Sequence, residues 1–240
     1  MITLALDTST AAGSIAVRRD GTTIVSRTGD GSRPHATRLP GDLVDALREN
    51  NLTLDDVTLL AVGLGPGAFT GLRVGLATVQ GLAFARQRPV VGISAFDALA
   101  SAAASEADEI AVWLDGGRKE VFAARYRRRE TAPFGVEMRA DPISAAPEAV
   151  LSDWARCGWP RPAVWVGEGT ALYRDVLLAH VPEAPVRAID VPRAEIVGGL
   201  AERAAAAGLA VPPHALRPVY VRRPDAELAR DRAASASGRA

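Results

Sequence analysis

The 240-residue sequence has one cysteine, Cys157, and therefore no internal disulfide. The fold must rest on its core, which suits a reducing compartment, and Cys157 is expected to be a small, partly buried hydrophobe. Charge of neither sign is in excess. The 28 basic and 28 acidic residues cancel, so no global basic field points to direct nucleic-acid binding. Lys119 is the only lysine, and the glycine-rich stretches lack the Lys that a phosphate-binding loop needs. The three histidines, His35, His180 and His214, are far apart. Without His-x-x-x-His or His-Glu-x-x-His, no helical zinc or iron site is expected. There is no Gly-x-Ser-x-Gly elbow and no Cys/His pair, so a hydrolase or protease has no nucleophile–base pair and no catalytic residue is assigned. No apolar run reaches membrane-spanning length, and Met1-Ile2-Thr3-Leu4 lacks a basic n-region. The expectation is a cytoplasmic protein without membrane contact.

What is present is ordinary in bulk, 48% apolar and 23% charged, and unusual in one place. Gly65-Pro66-Gly67-Ala68-Phe69-Thr70-Gly71-Leu72-Arg73-Val74-Gly75 follows a buried-strand pattern at 59–63 and opens an apolar helix over about 69–86. Gly67, Gly71 and Gly75 recur every four residues and share one helix face. Each interior glycine costs roughly 0.5–1 kcal/mol relative to alanine, so the face needs a packing or binding reason. Thr70 is expected to cap this helix. Close packing is the favoured reading of the segment, and an anion at the helix start the lesser one.

The first third reads strand, strand, strand, helix, strand, helix. Strands are expected at 2–6, 14–18 and 22–27, with Asp20-Gly21 as a hairpin turn. A helix at 36–50 follows, with Leu39, Leu43, Val44 and Leu47 at helical spacing. A strand at 89–93 leads to Ser94, the N-cap of a helix to about 105. The second half repeats the order: strands at 110–115, 120–127 and 133–139, then helix 147–155, strand 163–166 and helices at 171–179 and 193–208. This predicts an α/β chain with a duplicated ribonuclease-H-like, two-lobed fold. The lobes would span 1–107 and 108–224, with a disordered tail at 225–240, where periodicity is lost.

Several segments resemble the TsaB (YeaZ) family. The glycine segment is similar to its Gly-Pro-Gly-(Ser/Ala)-Phe-Thr-Gly-(Leu/Val)-Arg-(Ile/Val)-Gly signature. Leu4-Ala5-Leu6-Asp7-Thr8-Ser9 resembles its first strand and turn, His35 leading to Leu39-Pro40 its helix start, and Pro218-Val219-Tyr220-Val221-Arg222 its terminal motif. Asp115 with Glu120-Val121-Phe122 resembles a further motif, although Gly117 stands where the family has Arg. The resemblance implies the fold of the actin, Hsp70 and sugar kinase superfamily. It also implies a non-catalytic subunit that binds TsaD, the catalytic partner with a His-x-x-x-His metal site, and works with the ATPase TsaE. The product would be N6-threonylcarbamoyladenosine in tRNAs reading A-starting codons.

On this reading Leu39, Leu43 and Leu47 on one helix and Gly71, Val74, Gly75 and Thr78 on the other form the partner-binding surface. Gly75→Leu would then block docking and leave the monomer folded. Contact with tRNA would be indirect, and the isolated chain could form a homodimer. No cofactor is expected in this chain, and ATP at an interface shared within the complex stays open. The alternative is an ATP-dependent phosphotransferase or ATPase of the same superfamily, with Asp7 and Asp115 holding a magnesium–nucleotide complex. Asp7, Ser9 and Arg73 are the candidate nucleotide or anion contacts, but Asp7 lacks the glycine that usually follows. The cluster Arg125, Arg127, Arg128 and Arg129 reads as a solvated sheet edge, with a phosphate contact as the alternative.

Overall fold

The computed structural model describes residues 1–222, so the tail expected from 225 lies outside the described residues. The first sheet contains β1 (Ile2–Asp7), β2 (Ser14–Arg19), β3 (Thr22–Thr28), β4 (Leu59–Gly63) and β5 (Val90–Ile93), in the order β3-β2-β1-β4-β5. The β2–β3 turn places Asp20 and Gly21 at φ 50° and 84°, the twist that matches paired strands. β1, β4 and β5 are parallel and almost wholly buried, as a sheet covered on both faces requires.

The second sheet repeats this arrangement with β6 (Glu109–Gly117), β7 (Glu120–Arg128), β8 (Val136–Met138), β10 (Val164–Val166) and β11 (Val186–Arg187), ordered β11-β10-β6-β7-β8. It also carries β9 (Ile143–Ala145) on β7. β9 and β11 have no counterpart in the sequence reading; at three and two residues they are too short to show a period. The two-lobed ribonuclease-H-like fold is thus present. The helix expected at 171–179 is two short ones, α5 (Glu168–Leu172) and α6 (Arg174–His180).

α1 (His35–Arg48) and α2 (Phe69–Arg86) cover the outer face of the first sheet, and α4 (Pro147–Arg156) with α6 covers the outer face of the second. The middle layer is exchanged. α3 (Ala95–Ala103), capped by Ser94 as expected, packs Phe96, Leu99 and Ala103 on the second sheet. α7 (Arg193–Ala206) packs Val197, Leu200 and Ala201 on the first. A division at 107/108 therefore cuts the sequence between sheets, while the helices pack across it.

The glycine face of α2 turns inward. A methyl group at Gly67 would overlap the Ser9 carbonyl oxygen, one at Gly71 the Thr8 carbonyl oxygen, and one at Gly75 the Thr8 hydroxyl. The backbone that approaches so closely is the chain's own β1–β2 turn. The Ala68 amide also donates to the Ser9 carbonyl at 2.8 Å. The N-cap of α2 is Ala68, with no side-chain cap. Thr70, expected there, is an exposed residue of the first turn.

Two outcomes follow for equilibrium urea unfolding. Gly71→Ala should cost about 2 kcal/mol, because the added methyl meets backbone that cannot step aside. Gly81→Ala, where nothing lies within 4 Å, should instead stabilise the chain by roughly 0.5–1 kcal/mol. A separate test concerns Asp97, whose carboxyl accepts from the Tyr126 hydroxyl at 2.7 Å. Burial pushes the Asp97 carboxyl up, against the lowering effect of that bond. A raised folded-state value means a stability contribution that is present at low pH and lost as pH rises through it. Asp97→Asn should therefore stabilise the chain at pH 7, with the gain vanishing below the ordinary carboxylate value of 3.8.

Candidate functional site

Two features could carry function: the cleft between the lobes and the outer face of α1 and α2. The cleft, about 600 Å³, lies between the turn after β1 (Ser9, Thr10), the loop into α2 (Pro66, Phe69), the β6–β7 hairpin (Asp115) and Tyr220. Asp7 is 1% exposed. Its Oδ1 accepts from the Ser9 amide at 3.1 Å and the Ser9 hydroxyl at 2.5 Å. Arg193, at the start of α7, donates to the Ser9 hydroxyl at 2.7 Å and to Glu168 at 2.9 Å, and its guanidinium lies 4.0 Å from Asp7 Oδ1. Asp115 accepts from the Gly117 amide at 2.8 Å, in a hairpin whose Arg118 and Lys119 both have positive φ, 57° and 62°.

A magnesium–nucleotide complex on Asp7 would have to displace contacts that are already made: Arg193 faces Asp7 Oδ1, and Ser9 is held by Asp7 and Arg193. Asp7 Oδ2, by contrast, is buried with no hydrogen-bond partner among the described residues. Arg73 is exposed and is held by two residues of the cleft rim, away from Asp7: its guanidinium lies 3.9 Å over the Phe69 ring and its Nε donates to Tyr220 at 3.2 Å. The expected nucleotide contacts Asp7, Ser9 and Arg73 are therefore not brought together as one anion site. Sequence reasoning missed Arg193, which lies 184 positions from Ser9. His35 pins α1 to the same turn, with Nε2 2.9 Å from the Thr10 carbonyl and Nδ1 3.0 Å from Arg38. Among the described residues no cluster of His, Cys, Asp or Glu could hold a metal ion.

The partner-binding residues require correction. Leu39, Leu43 and Leu47 are 1%, 3% and 1% exposed and belong to the core under the first sheet. Gly71 and Gly75 are buried against Thr8. None of these five can meet a second chain while the lobe stays folded. Val74 and Thr78 are half-buried, and the Thr78 hydroxyl bonds back to the Val74 carbonyl at 2.8 Å. Gly75→Leu would disrupt the monomer itself, since even a methyl there overlaps Thr8 and lies 3.0 Å from Leu6.

The outward stripes are different residues. On α1 they are Thr37, Pro40, Gly41, Val44 and Arg48; on α2 they are Thr70, Arg73, Ala77, Gly81 and Phe84. Phe84 is 83% exposed. Gly41 and Gly81 have nothing within 4 Å of where a Cβ would sit. The four arginines are also resolved. Arg125 is buried beside Glu109, while Arg127 and Arg129 pair with Glu137 and Arg128 with Asp108. Each is thus engaged by a carboxylate, with Arg127 and Arg129 sharing one. Cys157 is exposed at the end of α4, contrary to expectation. No helix among the described residues is long and apolar enough to cross a membrane.

The repeated sheets and exchanged helices define a duplicated ribonuclease-H-like, two-lobed class of protein. The family model described as TsaD: tRNA N6-adenosine threonylcarbamoyltransferase matches residues 25–237. A protein of that name from Geobacter sulfurreducens is 31% identical over 142 residues, which are 51% of this chain and 42% of that protein. The tRNA threonylcarbamoyladenosine biosynthesis protein TsaB of Escherichia coli is 30% identical over 169 residues, 65% of this chain and 73% of that one. The solved structure of YeaZ from Pseudomonas aeruginosa aligns with a TM-score of 0.72 at 33% identity, covering 91% of this chain and 99% of that one. The chain belongs to the TsaB (YeaZ) family.

Arg193→Ala should cost about 2 kcal/mol in urea unfolding, because it removes a charged donor to buried Ser9 and uncovers the Asp7 carboxylate. Glu168→Gln, at a 41% exposed partner of the same guanidinium, should cost under about 1 kcal/mol. Equal losses would mean that Arg193 serves the surface pair and not the turn.

Proposed function

We propose that this chain is an accessory subunit in the formation of N6-threonylcarbamoyladenosine in tRNA, seating a TsaD-like catalytic subunit on the outer face of α1 and α2. The relatives' names supply the process. The single observation behind the surface is a pair of exposed helical glycines, Gly41 and Gly81, that no contact among the described residues explains.

A solvent-facing glycine inside a helix is a net loss unless something outside needs the space. Beside these two glycines lie Pro40, Val44, Ala77 and the fully projecting Phe84. Small residues let a partner's helices approach closely, and Phe84 can fill a pocket in the partner, as buried aromatic anchors do. A specific complex typically buries about 800 Å² on each partner, and two helices presented side by side form a continuous face for it. The same face would support a homodimer of the isolated chain, since exposed apolar surface seeks cover. Catalysis resides in the TsaD-like partner in this reading, a TsaE-like ATPase completes the set, and tRNA is met through the partner.

The test separates stability from docking. Gly81→Leu should keep or raise monomer stability, because leucine is the better helix former. It should weaken binding to the purified TsaD-like partner by about 2 kcal/mol, roughly thirtyfold, in calorimetric titration. Phe84→Asp should weaken it similarly. Wild-type affinity in both variants would sink the assignment of this face.

A further inference from the structure

The C-terminal stretch 211–222 runs along the flank of α2 and then leaves it for the other lobe. The Val211 amide bonds the Val90 carbonyl at the edge of the first sheet at 2.9 Å. Near the middle of α2, Gln80 donates to the Pro213 carbonyl at 2.9 Å. Leu216 is 4% exposed, in the core beneath α2. The Val219 amide then donates to the Leu64 carbonyl at 2.8 Å, just before the loop that starts the helix. Tyr220 stacks on Phe69, the first residue of α2, with ring centroids 5.5 Å apart, and accepts from Arg73 one turn on.

Two residues later the chain grips the second lobe. Arg222 donates to Glu120 on β7 at 3.0 Å and lies over the Phe122 ring at 5.6 Å. Glu120 is itself held by the Ser144 hydroxyl of β9 at 2.7 Å. Tyr220, Phe69, Phe122 and Arg222 all line the mouth of the interlobe cleft.

We propose that residues 219–222 are a latch across the cleft, in which Tyr220 on Phe69 and Arg222 on Glu120 fix the first turn of α2 to the second lobe and so set how α2 meets its partner. The inference rests on the docking role proposed for α2, and Tyr220 and Arg222 act in it as positioning residues. Neither is part of the outward stripe defined by Gly41, Gly81 and Phe84. Ala68 supplies no side-chain cap, so the first turn is held by the glycine seam on one side and by the latch on the other.

The experiment compares the full chain with Tyr220→Ala, Tyr220→Phe and Arg222→Ala by amide hydrogen exchange, with and without the purified TsaD-like partner. In Tyr220→Ala and Arg222→Ala, exchange across 66–73 should speed up about tenfold while β4 stays protected, and partner affinity should fall by a similar factor. Tyr220→Phe, which keeps the stack, should restore most of both. A merely structural role would loosen β4 together with 66–73, and that result overturns the latch. So does unchanged exchange at 66–73 in both alanine variants, or unchanged affinity in spite of faster exchange. Failure of the wild-type chain to bind the partner would instead strike the proposed function, and the exchange comparison in the free chain would still judge the fastening.

Discussion

The structure turns on a seam without side chains. Gly67, just before α2, and Gly71 within it lie directly against the backbone of Ser9 and Thr8, and Gly75 lies against the Thr8 side chain. That approach fixes the helix over the first sheet, holds the Ser9–Gly13 loop and brings Ser9 to where Asp7 and Arg193 bind it. His35 ties α1 to the same turn from the other side. The turn is thus held by a helix on one side and a guanidinium on the other. One close contact explains why α2 is so firmly placed.

A helix pinned by its inner face is free to offer its outer one. α2 has two sets of small residues with different origins. The inner set is required by the chain's own backbone. The outer set is Ala77, which is exposed, and Gly81, which nothing among the described residues approaches; Gly41 on α1 is the same kind of misfit. Local choices that conflict with local propensity tend to mark function, and these conflicts coincide with the most exposed aromatic side chain, Phe84.

Much of the fold was legible in the sequence, because strand and helix periods report burial directly: Asp20-Gly21 marked its hairpin, Ser94 its helix start, and the repeat of element order gave the two lobes. The exchange of α3 and α7 was not legible. Both helices carry apolar faces that would suit either sheet, and only the tertiary arrangement decides. The glycine spacing correctly demanded a close backbone neighbour but could not say whose. For the same reason Leu39, Leu43 and Leu47 misled: a core and an interface ask for the same residues at the same spacing. The more telling signal was also in the sequence, in Pro40, Gly41 and Gly81, which suit neither a core nor a free helix surface. Arg193 left no local trace, since its meaning depends on a turn at the far end of the chain.

The central claim is that the inner glycine face serves this chain and the outer face a partner. Hydroxyl-radical footprinting of the Phe84 side chain, with and without a saturating TsaD-like subunit, addresses it most directly. The account predicts that labelling of Phe84 falls sharply on mixing while exposed Leu172 in the other lobe is unaffected. A complex that forms with Phe84 labelled as freely as before would contradict it.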